Sequence, residues 1–440
     1  MIGKPQNHIN TNLVNFYILI IILLNLILLR VTYGEDLPDD SNLSSVGKYY
    51  MAVTSDSFAT DAANDVLEKG GTAADAAIAA QLVLGLTEPQ GSGLGGGAFA
   101  LYFDNQTKKI FSIDAREVAP KSVDENLFID PVGNIMDFKL ASSSGKSVGI
   151  PGTPALIGYL HKQHGILPMN DLSSYSLKLA SQGFYKSDSL RESIENNRKI
   201  LTARTDTNEH FFSSDFIRNE KYRDNLINLS KNGYEIFYKS PISKNIIEAV
   251  RAHGGTMTQS DFDGYRIIHR EPVCDNFLDY KICSMGEPSS GALTMLQILK
   301  LIEFNPSWHN YIEASKLAFA DRNFYMADPD FVKTPAEILL NDNYLHERRK
   351  LITENIMVNP THGNIADYSE NTDYGIGPEE RGTSHISIVD KYGNIISMTS
   401  TIESSFGSKI MANGYLLNNE LTDFSFIPKN ENGLVANRVQ

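Results

Sequence analysis

Residues 382–390 read Gly-Thr-Ser-His-Ile-Ser-Ile-Val-Asp, and residues 394–401 read Asn-Ile-Ile-Ser-Met-Thr-Ser-Thr. A polar glycine–threonine step stands directly before two alternating apolar runs. Lys391-Tyr-Gly-Asn394 joins them. Alternation on both sides of a turn predicts a hairpin with one buried face. Thr383 then sits at the mouth of a buried strand, with glycine before it. That is the arrangement of an N-terminal nucleophile made by self-cleavage. A threonine hydroxyl is a poor nucleophile unaided. Cutting the 382–383 bond frees an α-amine of pKa about 7.7–8, which can act as base beside the hydroxyl. Taken alone, the pattern also fits an ordinary strand threonine.

The rest of the chain narrows the fold. Residues 49–53 predict a short strand. Residues 60–69 and 73–85 predict two alanine-rich helices, split by Gly70-Gly71, and alanine favours close helix packing. Gly91-Ser-Gly-Leu-Gly-Gly96 matches the dinucleotide-binding spacing G-x-G-x-x-G. That fingerprint needs a strand before it and a helix after it. Here a helix precedes and the strand 98–103 follows, so a tight backbone turn is the better reading. A second strand is expected at 110–114, a mainly helical region at about 150–270, and helices at 293–303 and 311–326. Residues 355–381 are polar and suit an exposed loop leading to the cleavage point. Ser289 and Ser290 fit a helix cap better than a serine nucleophile. His385 falls on the same strand face as Thr383.

Val273-Cys-Asp-Asn-Phe-Leu-Asp-Tyr-Lys-Ile-Cys283 reads as a hairpin turning near Leu278-Asp279. Counting outward sets Cys274 opposite Cys283, within disulfide reach. Two free thiols are the alternative.

The 440 residues carry a net charge of −14 and no long basic run, which argues against nucleic acid as a partner. Residues 13–29 form the only strongly apolar run. Its length just spans a bilayer and is long for a signal-peptide core. The favoured reading is a tail (1–12), an uncleaved signal anchor (13–29) and a polar stalk (30–48). That makes a single-pass type II plasma-membrane protein with an extracellular catalytic domain. A cleaved signal and a secreted protein are the alternative. Sequons at Asn42, Asn105 and Asn228 fit export. No metal-ligand spacing is present.

Several blocks, in order, carry a resemblance. They are Glu88-Pro-Gln-Gly-Ser-Gly-Leu-Gly-Gly-Gly97, Asp114-Ala-Arg-Glu-Val-Ala-Pro120 and Val148-Gly-Ile-Pro-Gly152. Pro288-Ser-Ser-Gly291, Ala318-Phe-Ala-Asp-Arg322 and Asp328-Pro-Asp330 follow. The Thr383 block and Leu417-Asn-Asn-Glu-Leu-Thr-Asp-Phe-Ser425 come last. From about residue 51 to 440 the chain resembles the γ-glutamyltransferase (glutathione hydrolase) family. The resemblance implies an α/β fold, the four-layer αββα sandwich of N-terminal nucleophile hydrolases. It divides the chain into a large-subunit part (49–382) and the start of a small-subunit part (383–440). It implies γ-glutamyl transfer from glutathione to water, an amino acid or a dipeptide, without a cofactor. It makes Thr383 the nucleophile and Thr401 its supporting threonine. Arg116 becomes the ligand of the donor's α-carboxylate, since arginine forks two hydrogen bonds to a carboxylate. Glu403, Glu420 and Asp423 fall to the α-ammonium.

Two departures qualify this. Glu403 stands where animal members carry asparagine and some bacterial members carry glutamate. Three carboxylates around one ammonium leave surplus negative charge, so one is expected to be paired elsewhere or to have a raised pKa. The second departure is the end of the chain. The sequence stops at Gln440, where the family continues with a serine pair and the glycine amides of an oxyanion hole. The expectation is therefore a fold incomplete at its C-terminal end, with little turnover in a chain of this extent. A related acylase acting on another amide and a non-enzymatic cell-surface paralogue are the rival readings.

Overall fold

The structure is a computed structural model that describes residues 45–239, 241–366 and 382–426. The expected anchor 13–29, Asn42 and most of the loop before Gly382 lie outside these residues. The chain divides into residues 1–48 and 49–440. Everything below concerns the second unit.

Its centre is a six-stranded sheet built from β1 (Met51–Thr54), β2 (Gly97–Asp104), β3 (Lys109–Ala115), β4 (Ile268–Arg270), β7 (Thr383–Val389) and β8 (Ile395–Thr401). The order is β1-β7-β8-β2-β3-β4, and every pairing is antiparallel. The expected alternation is present in β7. Ser384, Ile386 and Ile388 are buried, while Thr383, His385 and Ser387 face outward.

The buried face packs on α1 (Ser57–Glu68) and α2 (Ala73–Thr87). Asp56 caps α1, and Thr72 and Asp75 form a capping box on α2. Every residue of α2 is buried, which its small side chains allow. One carboxylate ties the two layers together. Asp390 accepts the Tyr392 and Asn394 amides within the β7–β8 turn, each at 2.9 Å, and the Ala73 amide at the head of α2, also at 2.9 Å. Helices between residues 153 and 264 surround this core, with α3 (Thr153–His164) against β2 and β3.

The strands β5 (Val273–Phe277) and β6 (Tyr280–Ser284) pair in the expected register, Cys274 opposite Cys283, and the two cysteines form a disulfide. Leu278 takes the left-handed conformation at the turn (φ 53°). The cap before α4 (Gly291–Ile302) is a partial correction. Ser289 Oγ accepts the Gly291 amide at 3.2 Å, but Ser290 Oγ accepts Arg322 Nε at 2.9 Å instead of capping. The result is a mixed α/β unit with a central antiparallel sheet. Among the described residues the other sheets are two-stranded pairs.

Candidate active site

The ends of the sheet's four central strands converge on one side of it. Thr401 closes β8 opposite both Thr383, which opens β7, and Gly97, which opens β2. Ala98 pairs with Ala115, so the chain leaves β3 into Arg116 beside them. The glycine block fills the space behind. A side chain at Gly96 would strike the Thr401 carbonyl, and one at Gly95 the Leu416 carbonyl. The Ile402 amide donates to Gly91 O at 3.1 Å and the Phe406 amide to Gln90 O at 3.1 Å. These glycines serve close backbone approach, as the tight-turn reading expects.

Thr383 Oγ1 donates to Thr401 Oγ1 at 3.3 Å. Thr401 Oγ1 donates in turn to the Gly382 carbonyl at 3.2 Å and accepts the Glu403 amide at 2.8 Å. Gly382 has φ +129°, and a Cβ there would lie 3.0 Å from Gln90 O. On the far side of Thr383, buried Ser384 donates to Glu88 Oε2 at 3.2 Å, which also accepts Ser55 Oγ at 2.5 Å. His385 is held by Thr399 Oγ1 at 2.8 Å and Ser387 Oγ at 3.1 Å. Burial lowers its pKa.

Arg116, just past β3, meets Glu420 and Asp423, which begin and end a short turn. One guanidinium nitrogen, Nη2, donates to Glu420 Oε1 and, at 3.4 Å, to Asp423 Oδ2. A cavity of about 290 Å³ takes in these three residues with Glu117, Arg270 and Asp330, but neither threonine. Arg270 is itself engaged by Asp114 at 2.7 Å and Asp330 at 2.9 Å.

Glu403 is brought to the same region by its backbone. It is buried and left-handed (φ +74°), and its Oε2 accepts the Ser404 amide and Asn419 Nδ2. Its other oxygen, Oε1, is buried without a hydrogen bond. Burial raises its pKa, against bonds from Ser404 and Asn419 that lower it. Burial also pulls Lys409 down to about 8.

Sequence reasoning gave no role to Glu117. Its carboxylate is fully buried, with Oε2 3.9 Å from Arg116 Nη1. Burial pushes its pKa up to about 7 and that of Glu420 up to about 8, against the pull of Arg116. The only sequence signal was its place beside Arg116. Asn419 was also missed. It receives Ser404 Oγ at 2.9 Å and gives to Thr422 Oγ1 at 3.0 Å.

Of the sequons, Asn105 spends its amide nitrogen on Tyr392 O at 2.8 Å, and Asn228 lies half-buried within the helix Glu220–Asn232.

The Gamma-glutamyltranspeptidase family model matches residues 59–440. The chain belongs to that family. It is 34% identical over 425 residues to the glutathione hydrolase proenzyme of Bacillus subtilis (strain 168), covering 91% of this chain and 72% of that protein. It is 32% identical over 435 residues to the glutathione hydrolase proenzyme of Escherichia coli (strain K12), covering 92% and 72%. Among solved structures it is similar to Helicobacter pylori gamma-glutamyltranspeptidase, with TM-score 0.70, 28% identity, and coverage of 74% of this chain and 100% of that one. It is also similar to cephalosporin acylase from Bacillus halodurans, with TM-score 0.75, 25% identity, and coverage of 90% and 74%. The sheet of this gamma-glutamyltranspeptidase-family chain is therefore that of the N-terminal nucleophile hydrolases.

Proposed function

We propose that this protein transfers γ-glutamyl groups from glutathione and related compounds to water or to an amino acid or dipeptide amine. Self-cleavage between Gly382 and Thr383 prepares it. Thr383 Oγ attacks the Gly382 carbonyl, the C–N bond breaks, and the resulting ester hydrolyses to free the Thr383 amine. That amine then takes the hydroxyl proton as Oγ attacks the γ-amide of the donor. Cys-Gly leaves with the proton, and water or an amine resolves the acyl-enzyme.

The observation that carries this reading is the chain of contacts from Thr383 Oγ1 through Thr401 Oγ1 to the Gly382 carbonyl. It links the attacking hydroxyl to the bond to be cut. Arg116 supports an α-carboxylate contact, and Glu420, Asp423 and Glu403 support an α-ammonium contact. A zwitterionic donor would exchange the internal Arg116–Glu420 pair for two intermolecular ones. Purified full-length protein incubated with glutathione is expected to release Cys-Gly, and a Thr383→Ala variant none. Equal release from both would defeat the reading.

The similarity to a cephalosporin acylase keeps one second reading, an acylase acting on another amide. The buried cation and acids at the donor end favour an amino-acid-like substrate instead. In this proposal residues 49–382 form the large-subunit part, residues 383–440 begin the small-subunit part, and the two remain associated after cleavage. Residues 13–29 anchor the protein with its catalytic part outside the cell. Among the described residues no helix is long and apolar enough to cross a membrane.

A further inference from the structure

The carboxylate of Glu88 stands one hydrogen bond from the residue that follows Thr383. Its Oε2 accepts Ser384 Oγ at 3.2 Å and Ser55 Oγ at 2.5 Å, and Ser92 Oγ donates to Ser384 Oγ at 3.2 Å. Ser384 and Ser92 are buried. The Glu88 backbone is fixed as well, since its carbonyl accepts the Gly91 and Ser92 amides at 2.9 and 3.3 Å. Two serine hydroxyls thus hold one half-buried carboxylate at the foot of β7, and a third steadies Ser384. Among the described residues no arginine, lysine or histidine pairs with it. Serine hydroxyls are neutral, so this acid has polar partners and no counter-charge. A half-buried carboxylate in that position is costly, where a glutamine of the same shape would accept the same two donors.

Cleavage supplies the missing charge. In the uncut chain Thr383 N is a neutral amide. Once the 382–383 bond is cut, the same atom is an α-amine, largely protonated at pH 7. It lies close to the serine cluster. The Cβ position of Gly91 is 3.1 Å from Ser384 Oγ and 3.8 Å from Gly382 C, the carbon bonded to Thr383 N.

We propose that Glu88 is the counter-charge of the Thr383 ammonium and, through its grip on Ser384, a positioning residue for the terminus that self-cleavage creates. This deepens the N-terminal-nucleophile reading of the same site and rests on it. Ser384 keeps the start of β7 in register when the peptide tether at Gly382 is lost. A fixed anion nearby favours the charged form of the amine, so the base is stronger and titrates higher than a lone terminus. The other charged groups around this terminus are already engaged. Asp56 accepts Thr87 Oγ1 and the Ala59 amide. Glu403 accepts the Ser404 amide and Asn419 Nδ2, with Lys409 behind it. Arg116 is held by Glu420 and Asp423, and His385 by Thr399 and Ser387. Arg381 lies outside the described residues; on cleavage it stays on the other fragment, with the new Gly382 carboxylate. All of these are unchanged in a Glu88→Gln variant, so the comparison isolates one charge.

The test is the titration of that amine in full-length, cleaved protein. The protein is labelled with acetic anhydride over a series of pH values at low ionic strength, and the Thr-Ser-His terminal peptide is quantified by mass spectrometry. The wild-type midpoint is expected above the value of about 7.7–8 of an ordinary α-amine. Glu88→Gln is expected to move it down by about half a pH unit or more, and the acid limb of kcat/KM for glutathione with it. Glu88→Asp keeps the charge and is expected to hold the midpoint near the wild-type value. Equal midpoints in wild type and Glu88→Gln, or an equal fall in Glu88→Asp, overturn the inference and leave the nucleophile reading standing. If Glu88→Gln does not fold or cleave, the wild type decides, and a midpoint at or below about 7.7 overturns the inference. A wild-type chain that yields no Thr-Ser-His terminus overturns the self-cleavage reading itself.

Discussion

Thr383 and Thr401 are register partners across β7 and β8, with 3.3 Å between their hydroxyl oxygens. The Glu403 amide fixes the Thr401 hydroxyl at 2.8 Å, so the Thr383 hydroxyl is oriented by a group that is itself held. A valine at 401 keeps the shape and loses the oxygen. Thr401→Val is expected to lower kcat for glutathione by about 10²-fold, the range of a positioned proton-handling group. Thr401→Ser is expected to retain most of it. Equal rates in the two variants would remove the hydroxyl from the mechanism.

Cleavage is expected to give a smaller fragment whose N-terminal sequence begins Thr-Ser-His. Gly382→Ala is expected to slow its appearance. At φ +129°, with Gln90 O 3.0 Å from the new Cβ, alanine is strained by about 1–3 kcal/mol. A time course of fragment formation by gel and mass spectrometry measures this. A fragment starting at Ser384 would refute the assigned bond.

Arg116→Lys replaces a planar fork with a point charge beside Glu420 and Asp423. In a site this buried the loss is expected to be about 2–5 kcal/mol in kcat/KM for glutathione. Steady-state kinetics that stayed within about threefold, below ~1 kcal/mol, would show that Arg116 does not hold the carboxylate.

The raised acids also govern stability. Below pH about 4.5, Glu117 and Glu420 are protonated both folded and unfolded, and contribute no pH dependence. Above it the unfolded chain releases its protons while the folded chain keeps them, up to about pH 7 for Glu117 and about 8 for Glu420. The folded state then binds more protons, so stability falls as pH rises through this window and levels off beyond it. The Tm of substrate-free protein, minus that of Glu117→Gln, is expected to decline from pH 5 to pH 8. A difference independent of pH would count against a buried protonated Glu117.

Cys274 and Cys283 close a short hairpin, a sequence separation of 9. Chain-entropy arithmetic for such a loop gives roughly 2–3 kcal/mol, as an upper value for a hairpin that pairs anyway. Replacing both cysteines by serine is expected to lower stability by no more than this in denaturant unfolding. The unmodified protein is expected to resist thiol labelling until reduced. Free reaction of both thiols without reductant would rule out the bond.

The sequence by itself determined what is local. Alternation at 383–389 and 395–401 specified two strands and their turn, because side chains with period two can bury only one face. The ten residues from Cys274 to Cys283 specified a register, because counting from a tight turn leaves one answer. Motif order specified the family and, through it, named Thr383, Thr401, Arg116, Glu403, Glu420 and Asp423. Which of these meet was decided only by tertiary structure. Arg116 is brought to Glu420 and Asp423, some three hundred residues away in the chain, by the β2–β3 pairing and the turn after Asn419. Glu403 is turned toward Asn419 and Ser404 by a left-handed backbone that no pattern announces. Glu117 shows the limit most plainly. In sequence it is an acid beside an arginine, with the look of an exposed ion pair. Two distant glycines and the closure of the core strip it of water, and desolvation, a property of the whole fold, sets its chemistry.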